Sequence, residues 1–296
     1  MKTLIIGERG QLAGELKRTL MPVCETICVD FPDFDITNQQ IVSDSIRNIL
    51  PDMVINASAY TNVDKAEIEK DLAESVNGKG PGYVAKVCAD LQIPMIHFST
   101  DFVFNGKIDR PYLETDIPDP LSFYGLTKLH GEQTIFQVLD SALVFRLAWL
   151  YTLNGQASFV NKFQQWAMKK ETLTIVDDQI GNPTWARFVA EAVAGVINEG
   201  IHSKLSLYNW VKQQSGIYHL TSSGEASRYD WACRILELTP DKSKFLVKEI
   251  KRGKTVDFPS IAIRPAYSPL NCSKFNRTFN LLVPSWENQL NLCLKV

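Results

Sequence analysis

The segment KTLIIGERGQLAGELKRTL, residues 2–20, passes from a short apolar run through a glycine loop directly into a helical pattern. The apolar run predicts a β-strand, and Gly7 and Gly10 then allow a tight turn and a close approach of the backbone to a pyrophosphate. Gln11 and Leu12 open the following helix, whose free N–H groups and positive dipole end attract phosphate. The segment therefore predicts the first strand, loop and helix of a dinucleotide-binding unit.

The same alternation of strand and helix continues to about residue 152. Further apolar runs of strand length lie in residues 25–30, 52–58, 93–100 and 142–151, and helical patterns separate them. Strands that alternate with helices favour a parallel sheet covered on both faces, and right-handed crossovers then give a doubly wound sheet. We predict an α/β fold of the Rossmann type.

The alternation of strands and helices becomes less regular in the second half of the chain. A strong helical pattern remains in residues 185–200, but short strands such as the one within residues 216–223 and a proline-rich tail follow. We predict that residues 1–152 form an NAD(P)-binding domain. Residues 153–296 are predicted to form mainly a smaller C-terminal α/β lobe that binds the substrate, with some segments returning to the Rossmann core.

The composition is that of an ordinary globular protein, with 45% hydrophobic and 22% charged residues and a net charge of −2. This charge argues against a nucleic-acid surface, and no run reaches the roughly 20 apolar residues that span a membrane. The N-terminal apolar run is too short for a signal peptide, so we expect a cytoplasmic protein. The six cysteines and four histidines lack metal-ligand spacing, so no metal ligand is assigned and the thiols are expected to be reduced.

Residues that follow the second and third strands are candidates for holding the rest of the cofactor. Asp30 ends the second strand, where a carboxylate can hydrogen-bond a ribose 2′-hydroxyl and favours NAD. Arg9, inside the glycine loop, can instead meet a 2′-phosphate and favours NADP, so NADPH and NADH both stay open. The further candidates are Asp35 and Ile36 beside the adenine, and the small residues Ala57, Ser58 and Ala59 after the third strand.

A tyrosine and a lysine four residues apart, Tyr124 and Lys128, begin the helix after the fourth strand, and Thr100 ends that strand. Ligands of open α/β sheets bind at the carboxyl ends of the strands, and a four-residue spacing places both side chains on one helix face. An ordinary tyrosine has a pKa of about 10, and a nearby ammonium lowers it. The set therefore predicts a proton donor, with Thr100 as a hydrogen-bond donor to a substrate carbonyl.

Seven motifs occur in order across nearly the whole chain: GERGQLA, NASAYTNVDKAE, STDFVFNG, YGLTKLHGE, RLAWLY, DDQIGNPTW and RPAYSPLN. Together they resemble the extended short-chain dehydrogenase/reductase family, and within it the dTDP-4-dehydrorhamnose reductases. The resemblance implies reduction of the 4-keto group of dTDP-4-dehydro-L-rhamnose to dTDP-L-rhamnose by hydride transfer from NAD(P)H. Biosynthesis of dTDP-rhamnose would serve the synthesis of cell-surface polysaccharide.

The resemblance also implies roles for individual residues. Tyr124 would donate the proton, Lys128 would lower its pKa and bind the cofactor ribose, and Thr100 would polarise the carbonyl or tune the tyrosine. Asp101, Phe102 and Trp149 would line the sugar site. The residues that would hold the cofactor are Gly10, Gln11, Leu12, Asp30, Ala57, Ser58 and Ala59. From its own chemistry, Arg264 is a candidate partner of the substrate diphosphate, because a guanidinium forks well onto phosphate oxygens.

Three positions depart from the family pattern and bear on sugar recognition. Phe102 replaces a usual tyrosine, and Leu147 and Ala148 stand where hydroxyl residues are commoner. Members of the family can dimerise around a magnesium ion held by glutamates, and Glu15 lies at a matching place. A magnesium-linked homodimer is therefore one expectation, although a glutamate early in a helix is also favourable beside the helix dipole.

Two other interpretations remain open at this point. A nucleotide-sugar dehydratase or epimerase uses the same fold, but the related dehydratases carry an Asp-Glu pair directly after the threonine. Here Asp101 is followed by Phe102, which argues against elimination. The regulatory subunit of methionine adenosyltransferase also resembles this group and acts mainly as a binding partner. The intact set of Thr100, Tyr124 and Lys128 favours an enzyme over that binding role.

Overall fold

The computed structural model of the protein describes residues 1–154 and 158–295. Its strands are β1 (Lys2–Ile6), β2 (Glu25–Val29), β3 (Met53–Asn56), β4 (Met95–Thr100), β5 (Ala142–Leu147), β6 (Leu150–Tyr151), β7 (Thr172–Val176), β8 (Ile180–Gly181), β9 (Thr184–Trp185), β10 (Gly216–His219), β11 (Ala226–Ser227) and β12 (Glu249–Gly253).

Its α-helices are α1 (Gln11–Leu20), α2 (Gln39–Ile49), α3 (Val63–Ala66), α4 (Lys70–Glu74), α5 (Gly80–Leu91), α6 (Phe123–Val138), α7 (Phe159–Ala167), α8 (Ala186–Ile201), α9 (Leu207–Gln213), α10 (Arg228–Leu238), α11 (Ser273–Phe279) and α12 (Trp286–Cys293). A π-helical turn (Ser75–Lys79) joins α4 to α5, and 3-10 turns follow β4 (Asp101–Val103) and β12 (Thr255–Asp257). None of the helices in the described ranges has the length and apolar character needed to cross a membrane.

A six-stranded parallel sheet forms the centre of the described chain, in the order β10-β5-β4-β3-β1-β2. The predicted doubly wound Rossmann-type sheet is confirmed. From β1 the chain turns one way to β2 and from β3 the other way to β4 and β5, so the switch point lies between β1 and β3. Ligands of such sheets bind at this point, outside the carboxyl ends of the strands.

Apolar helix faces cover both sides of the sheet. Helices α1 and α8 pack on one face, where Leu16 and Val193 are fully buried. Helices α2, α5 and α6 cover the other face with residues such as Ile46 and Ile135. The lobe has its own core, in which Trp231 and Phe163 pack between α7, α10 and α12. The buried strands and helix faces explain the near-continuous apolar runs in the sequence.

One sequence-based expectation about the strands needs correction. The strand predicted over residues 142–151 is broken, because β5 ends at Leu147 and Trp149 has a left-handed backbone with φ of +44°. Strand β6 then pairs with β9 outside the central sheet. The strand predicted within residues 216–223 is β10, and it lies in the central sheet beside β5.

Candidate active site

The glycine loop after β1 packs directly against the chain that leaves β3. Gly7 has φ of +98°, a conformation that favours glycine, and a Cβ on it would lie 2.7 Å from the Ser58 nitrogen. Gly10 stands before α1, and no side chain caps this helix end. Because no side chain caps α1, the main-chain N–H groups of its first turn are free to bind an anion at the switch point.

The carboxylate of Asp30 is held beside this loop at the end of β2. It accepts hydrogen bonds from the main-chain N–H groups of Arg9 and Phe31, each at 2.8 Å. The side chain of Arg9 is exposed. Asp30 and Arg9 therefore lie next to each other, so the structure does not decide whether this place binds the ribose 2′-hydroxyl of NAD or the 2′-phosphate of NADP.

The other predicted cofactor residues divide into two groups. Ala57, Ser58 and Ala59 are half-buried after β3, and Ser58 donates a hydrogen bond to Asn56 at 2.7 Å. Asp35 instead closes a turn by accepting from Thr37, and Ile36 is buried in the sheet core. Their placement beside an adenine remains a prediction.

An unpartnered buried atom supports the fit of a dinucleotide to this edge. The Oε1 atom of Gln11, in the first turn of α1, is buried without a hydrogen-bond partner among the described residues. A buried acceptor of this kind normally pairs, so a donor from a ligand would satisfy it. The free helix end, the close glycine loop and this amide fit a pyrophosphate-linked nucleotide; Leu12 is buried behind them in the core.

Tyr124 and Thr100 meet at the carboxyl end of β4. Ser122 caps α6 by accepting from the Gly125 nitrogen at 3.2 Å, which fixes Tyr124 in the first turn. The Tyr124 phenol lies near the Thr100 hydroxyl, which lowers the pKa of the phenol. The ring of Phe102 packs edge-on against the tyrosine ring, with centroids 5.7 Å apart. The residue that departs from the family pattern therefore touches the predicted proton donor.

The pKa of Tyr124 is raised to about 12, mainly by burial; the Thr100 hydroxyl acts against this rise, and the charge of Asp101 adds to it. Lys128 lies one turn along α6, and its ammonium donates to the Phe98 carbonyl at 2.7 Å. Its Nζ atom is also 3.3 Å from Nε2 of His97. These contacts of the Lys128 ammonium are with Phe98 and His97, not with the Tyr124 phenol. The expected lowering of the tyrosine pKa by Lys128 remains a prediction.

Lys128 itself is 2% exposed. Burial lowers the pKa of its ammonium to about 8, and the charge of Glu132 opposes that shift. Burial also lowers the pKa of His97 well below its usual value, so this imidazole is neutral. The lysine therefore has one carbonyl and one neutral ring as its nearest partners, and it can gain or lose its proton near neutral pH.

Asp101 is a buried carboxyl that sequence reasoning placed only in the sugar site. Its Oδ2 atom accepts from the Ser268 hydroxyl at 2.6 Å, and its Oδ1 atom accepts from Thr100 at 3.1 Å. Burial raises the pKa of Asp101 to about 6, against the opposing effects of Ser268, Thr100 and the charge of Arg228. The role of Ser268 was missed, although it lies in the RPAYSPLN motif.

A second missed residue is Arg228, which stacks on Trp149. The guanidinium carbon lies 3.5 Å from the centroid of the indole. A Cβ on Gly181 would overlap the same indole, which explains the glycine in the DDQIGNPTW motif. Burial lowers the pKa of Arg228 to about 9, while Asp101 raises it. The only sequence signal for this residue was a basic side chain at the start of a helix.

The family model described as RmlD substrate binding domain matches residues 1–296 of this chain. The dTDP-4-dehydrorhamnose reductase of Salmonella typhimurium is 34% identical over 292 residues, covering 97% of this chain and 95% of that protein. The chain belongs to the dTDP-4-dehydrorhamnose reductase family. The resemblance drawn from the seven motifs is thereby confirmed.

Solved structures of the dTDP-4-dehydrorhamnose reductase family agree over the full length. The protein from Clostridium acetobutylicum superposes with a TM-score of 0.90 at 33% identity and covers 100% of this chain and 99% of that chain. The protein from Bacillus anthracis, solved in complex with NADP, gives a TM-score of 0.87 at 30% identity, with 99% and 98% covered.

Arg264 forms an ion pair that sequence reasoning did not foresee in this family member. Its guanidinium donates to Asp64 at 2.7 Å and lowers the pKa of that carboxyl. The pair ties the C-terminal segment to α3, which follows β3. Contact of Arg264 with a substrate diphosphate remains a prediction.

The magnesium ion that the family resemblance suggested at a dimer interface remains a prediction. Glu15 is buried, and its carboxylate accepts from Arg18 at 3.0 Å and from Asn154 at 3.3 Å. Residues 1–154 and 158–295 contain no group of three or more His, Cys, Asp or Glu side chains that could hold a metal. We derive no step through magnesium, and the homodimer remains a prediction.

Replacing Gly125 by alanine is expected to displace Tyr124 and to lower both the melting temperature and kcat. The new Cβ would overlap the carbonyl oxygen of Phe102, which is main chain and cannot turn away. Circular dichroism melts and steady-state kinetics measure the two effects. The matched control is Gly14→Ala on the exposed face of α1, where a Cβ meets nothing within 4 Å and helix propensity favours alanine. Equal behaviour of the two variants would contradict the prediction.

Proposed function

We propose that the protein reduces the 4-keto group of dTDP-4-dehydro-L-rhamnose to dTDP-L-rhamnose, with NADPH or NADH as reductant and Tyr124 as proton donor. The observation that carries the proposal is the meeting of Tyr124 and Thr100 at the carboxyl edge of the sheet. The names of the relatives and their similarity along the full chain support this substrate.

The proposed chemistry divides between cofactor and protein. When bound, the reduced nicotinamide supplies a hydride to the carbonyl carbon of the sugar. Tyr124 gives its proton to the carbonyl oxygen, and Ser122 and Gly125 hold it in the first turn of α6. Lys128, buried one turn further on, would bind the cofactor ribose. The glycine loop and the end of α1 would hold the pyrophosphate.

The substrate side of the proposal rests on Asp101, Phe102 and Trp149. Asp101 lies next to Thr100 in the chain, and the indole of Trp149 contacts Gly181 and the stacked guanidinium of Arg228. We propose that these side chains border the sugar. Phe102, directly after Asp101, supplies no carboxylate, which supports reduction over elimination of water.

The test follows absorbance at the nicotinamide band with dTDP-4-dehydro-L-rhamnose and with NADPH or NADH in separate cuvettes. We expect substrate-dependent loss of the reduced cofactor. A faster rate with NADPH would indicate that Arg9 decides the cofactor preference, and a faster rate with NADH would indicate Asp30. No loss from folded protein that still binds either cofactor would overturn the proposal. Activity on a different nucleotide sugar would then indicate an epimerase or another reductase, and no activity at all would favour a binding subunit.

A further inference from the structure

Arg228 carries a positive charge for which the protein provides no polar partner. Its guanidinium carbon lies 3.5 Å from the centroid of the Trp149 ring and 5.5 and 5.6 Å from the centroids of Phe159 and Trp231. In the described part of the chain, the guanidinium group donates no hydrogen bond and forms no ion pair. The side chain is only partly buried, and none of its nitrogen atoms is fully enclosed, so a ligand can reach these N–H donors.

The position of Arg228 at the start of α10 is unfavourable for a cation. It is the first residue of this helix, where the helix dipole favours acidic side chains. The acid of this helix end, Asp230, is engaged in the cap: its nitrogen donates to the Ser227 hydroxyl at 3.0 Å, and its carboxylate accepts from that hydroxyl at 2.6 Å. Neither the helix end nor its cap therefore accounts for an arginine at this place.

Two neighbouring segments connect Arg228 to the candidate sugar site. Strand β11, directly before Arg228, pairs with β8, and the Ile180 carbonyl of β8 accepts from the Ser268 nitrogen at 2.9 Å. The Ser268 hydroxyl donates to Asp101 at 2.6 Å. The charge of Asp101 raises the pKa of Arg228, which burial lowers to about 9, so the guanidinium stays charged at neutral pH. Arg228 thus approaches the same region as Asp101, but from the lobe.

Arg264, the arginine that the sequence suggested for a diphosphate, already has a counter-ion. Its guanidinium donates to the two carboxylate oxygens of Asp64 at 2.7 and 3.4 Å, and to the Ala262 carbonyl at 3.3 Å. Releasing Arg264 to a ligand would leave the partly buried Asp64 without its partner. The charge of Arg264 also lowers the pKa of Arg228, so an anion beside Arg228 would relieve a repulsion between two cations.

We propose that Arg228 binds the diphosphate of the nucleotide-sugar substrate, while Trp149 holds its guanidinium in place and Arg264 remains tied to Asp64. This role rests on the proposed function, because it names the part of that substrate which the arginine meets. The diphosphate is joined directly to the sugar, so it would lie at the border of the sugar site. A guanidinium on the face of a ring keeps its N–H groups for phosphate oxygens, to which it can donate two parallel hydrogen bonds.

The test compares the Kd values of free dTDP and of thymidine, measured by isothermal titration calorimetry, in the wild type and in Arg228→Met. Methionine keeps apolar volume against Trp149 and removes the charge and the donors. In variant protein that circular dichroism shows to be folded, we expect the Kd of dTDP to rise about tenfold or more, as for the loss of charge-assisted hydrogen bonds. The Kd of thymidine should change less than about twofold. An unchanged Kd for dTDP, or an equal loss for both ligands, would overturn the proposal.

Three further variants separate the bound phosphate from general effects of an arginine. Arg187→Met is the matched control, because Arg187 lies 5.5 Å from the Trp185 ring centroid and is paired with Glu191; it should bind dTDP like the wild type. Arg264→Met should weaken dTDP binding less than Arg228→Met, and the opposite order would contradict the proposal. Arg228→Lys keeps the charge without the planar fork, so its Kd for dTDP should lie above that of the wild type and below that of Arg228→Met; a wild-type Kd would overturn the proposal.

Turnover measured on the same preparations separates this role of Arg228 from the proposed function. A wild type that reduces dTDP-4-dehydro-L-rhamnose but has no measurable affinity for dTDP would overturn the role of Arg228 alone. A wild type that binds dTDP without reducing this substrate would remove the proposed function, and the Kd values of the variants would still decide the role of Arg228.

Discussion

Replacing Tyr124 by phenylalanine is expected to lower kcat by about 10²–10⁴-fold, the usual contribution of a positioned acid. The change removes only the phenol oxygen and keeps the ring that packs against Phe102. Because the residue sits in the first turn of α6 under the Ser122 cap, the fold should be retained. Steady-state kinetics on dTDP-4-dehydro-L-rhamnose measure the loss.

Two further measurements separate chemistry from binding in this variant. The Kd for NADPH, followed by fluorescence titration, should stay close to the wild-type value, because the glycine loop and α1 are untouched. The matched control is Tyr83→Phe, on α5 at the covered face of the sheet, which should keep its kcat. Turnover of Tyr124→Phe at the rate of this control would remove Tyr124 as the proton donor.

Replacing Glu132 by alanine is expected to lower the free energy of unfolding by about 3–5 kcal/mol, the typical cost of breaking a buried ion pair. Glu132 on α6 accepts two hydrogen bonds from Arg146 on β5, at 2.6 and 2.8 Å, and each side chain is 2% exposed. The guanidinium also lies 5.1 Å from the Phe104 ring centroid. Without Glu132, a cation would remain buried in an apolar layer. Urea unfolding measures the loss.

The double variant Glu132→Leu with Arg146→Met tests the reason for that loss. It removes both charges and keeps apolar volume, so it should unfold with a smaller penalty than Glu132→Ala alone. The exposed pair of Lys248 and Glu171 is the control, because Glu171→Ala should leave the urea midpoint nearly unchanged. A double variant less stable than the single one would show that the pair itself carries net stability.

The ion pair between Glu132 and Arg146 also bears on the proposed proton donor. Glu132 lies one helical turn beyond Lys128, on the helix that carries Tyr124, so the pair fastens that helix to the sheet. Its charge opposes the lowering of the Lys128 pKa by burial. The stability of α6 and the protonation of its lysine are therefore linked through one carboxylate.

Much of the candidate site followed from short stretches of sequence. Gly7 and Gly10 between a strand and a helix predicted the loop because its geometry depends on neighbouring residues. The four-residue spacing of Tyr124 and Lys128 predicted a shared helix face for the same reason. The break of β5 before Trp149 was missed, because the apolar run continues through Tyr151 and the turn depends on contacts with Gly181 and Arg228.

The sequence by itself determined the order of strands and helices and the glycine loop, since periodicity and local spacing act over a few residues. The expectation that Tyr124 lies near Thr100 came from the fold class, because ligands of parallel sheets bind at the carboxyl ends of the strands. Only the tertiary structure decided which groups tune that pair. Ser268 reaches Asp101 across 167 positions of the chain, and Arg228 arrives from the lobe. Lys128 meets His97 and Phe98 rather than Tyr124. Such contacts form when distant segments pack together, and burial then shifts the pKa values on which the chemistry depends.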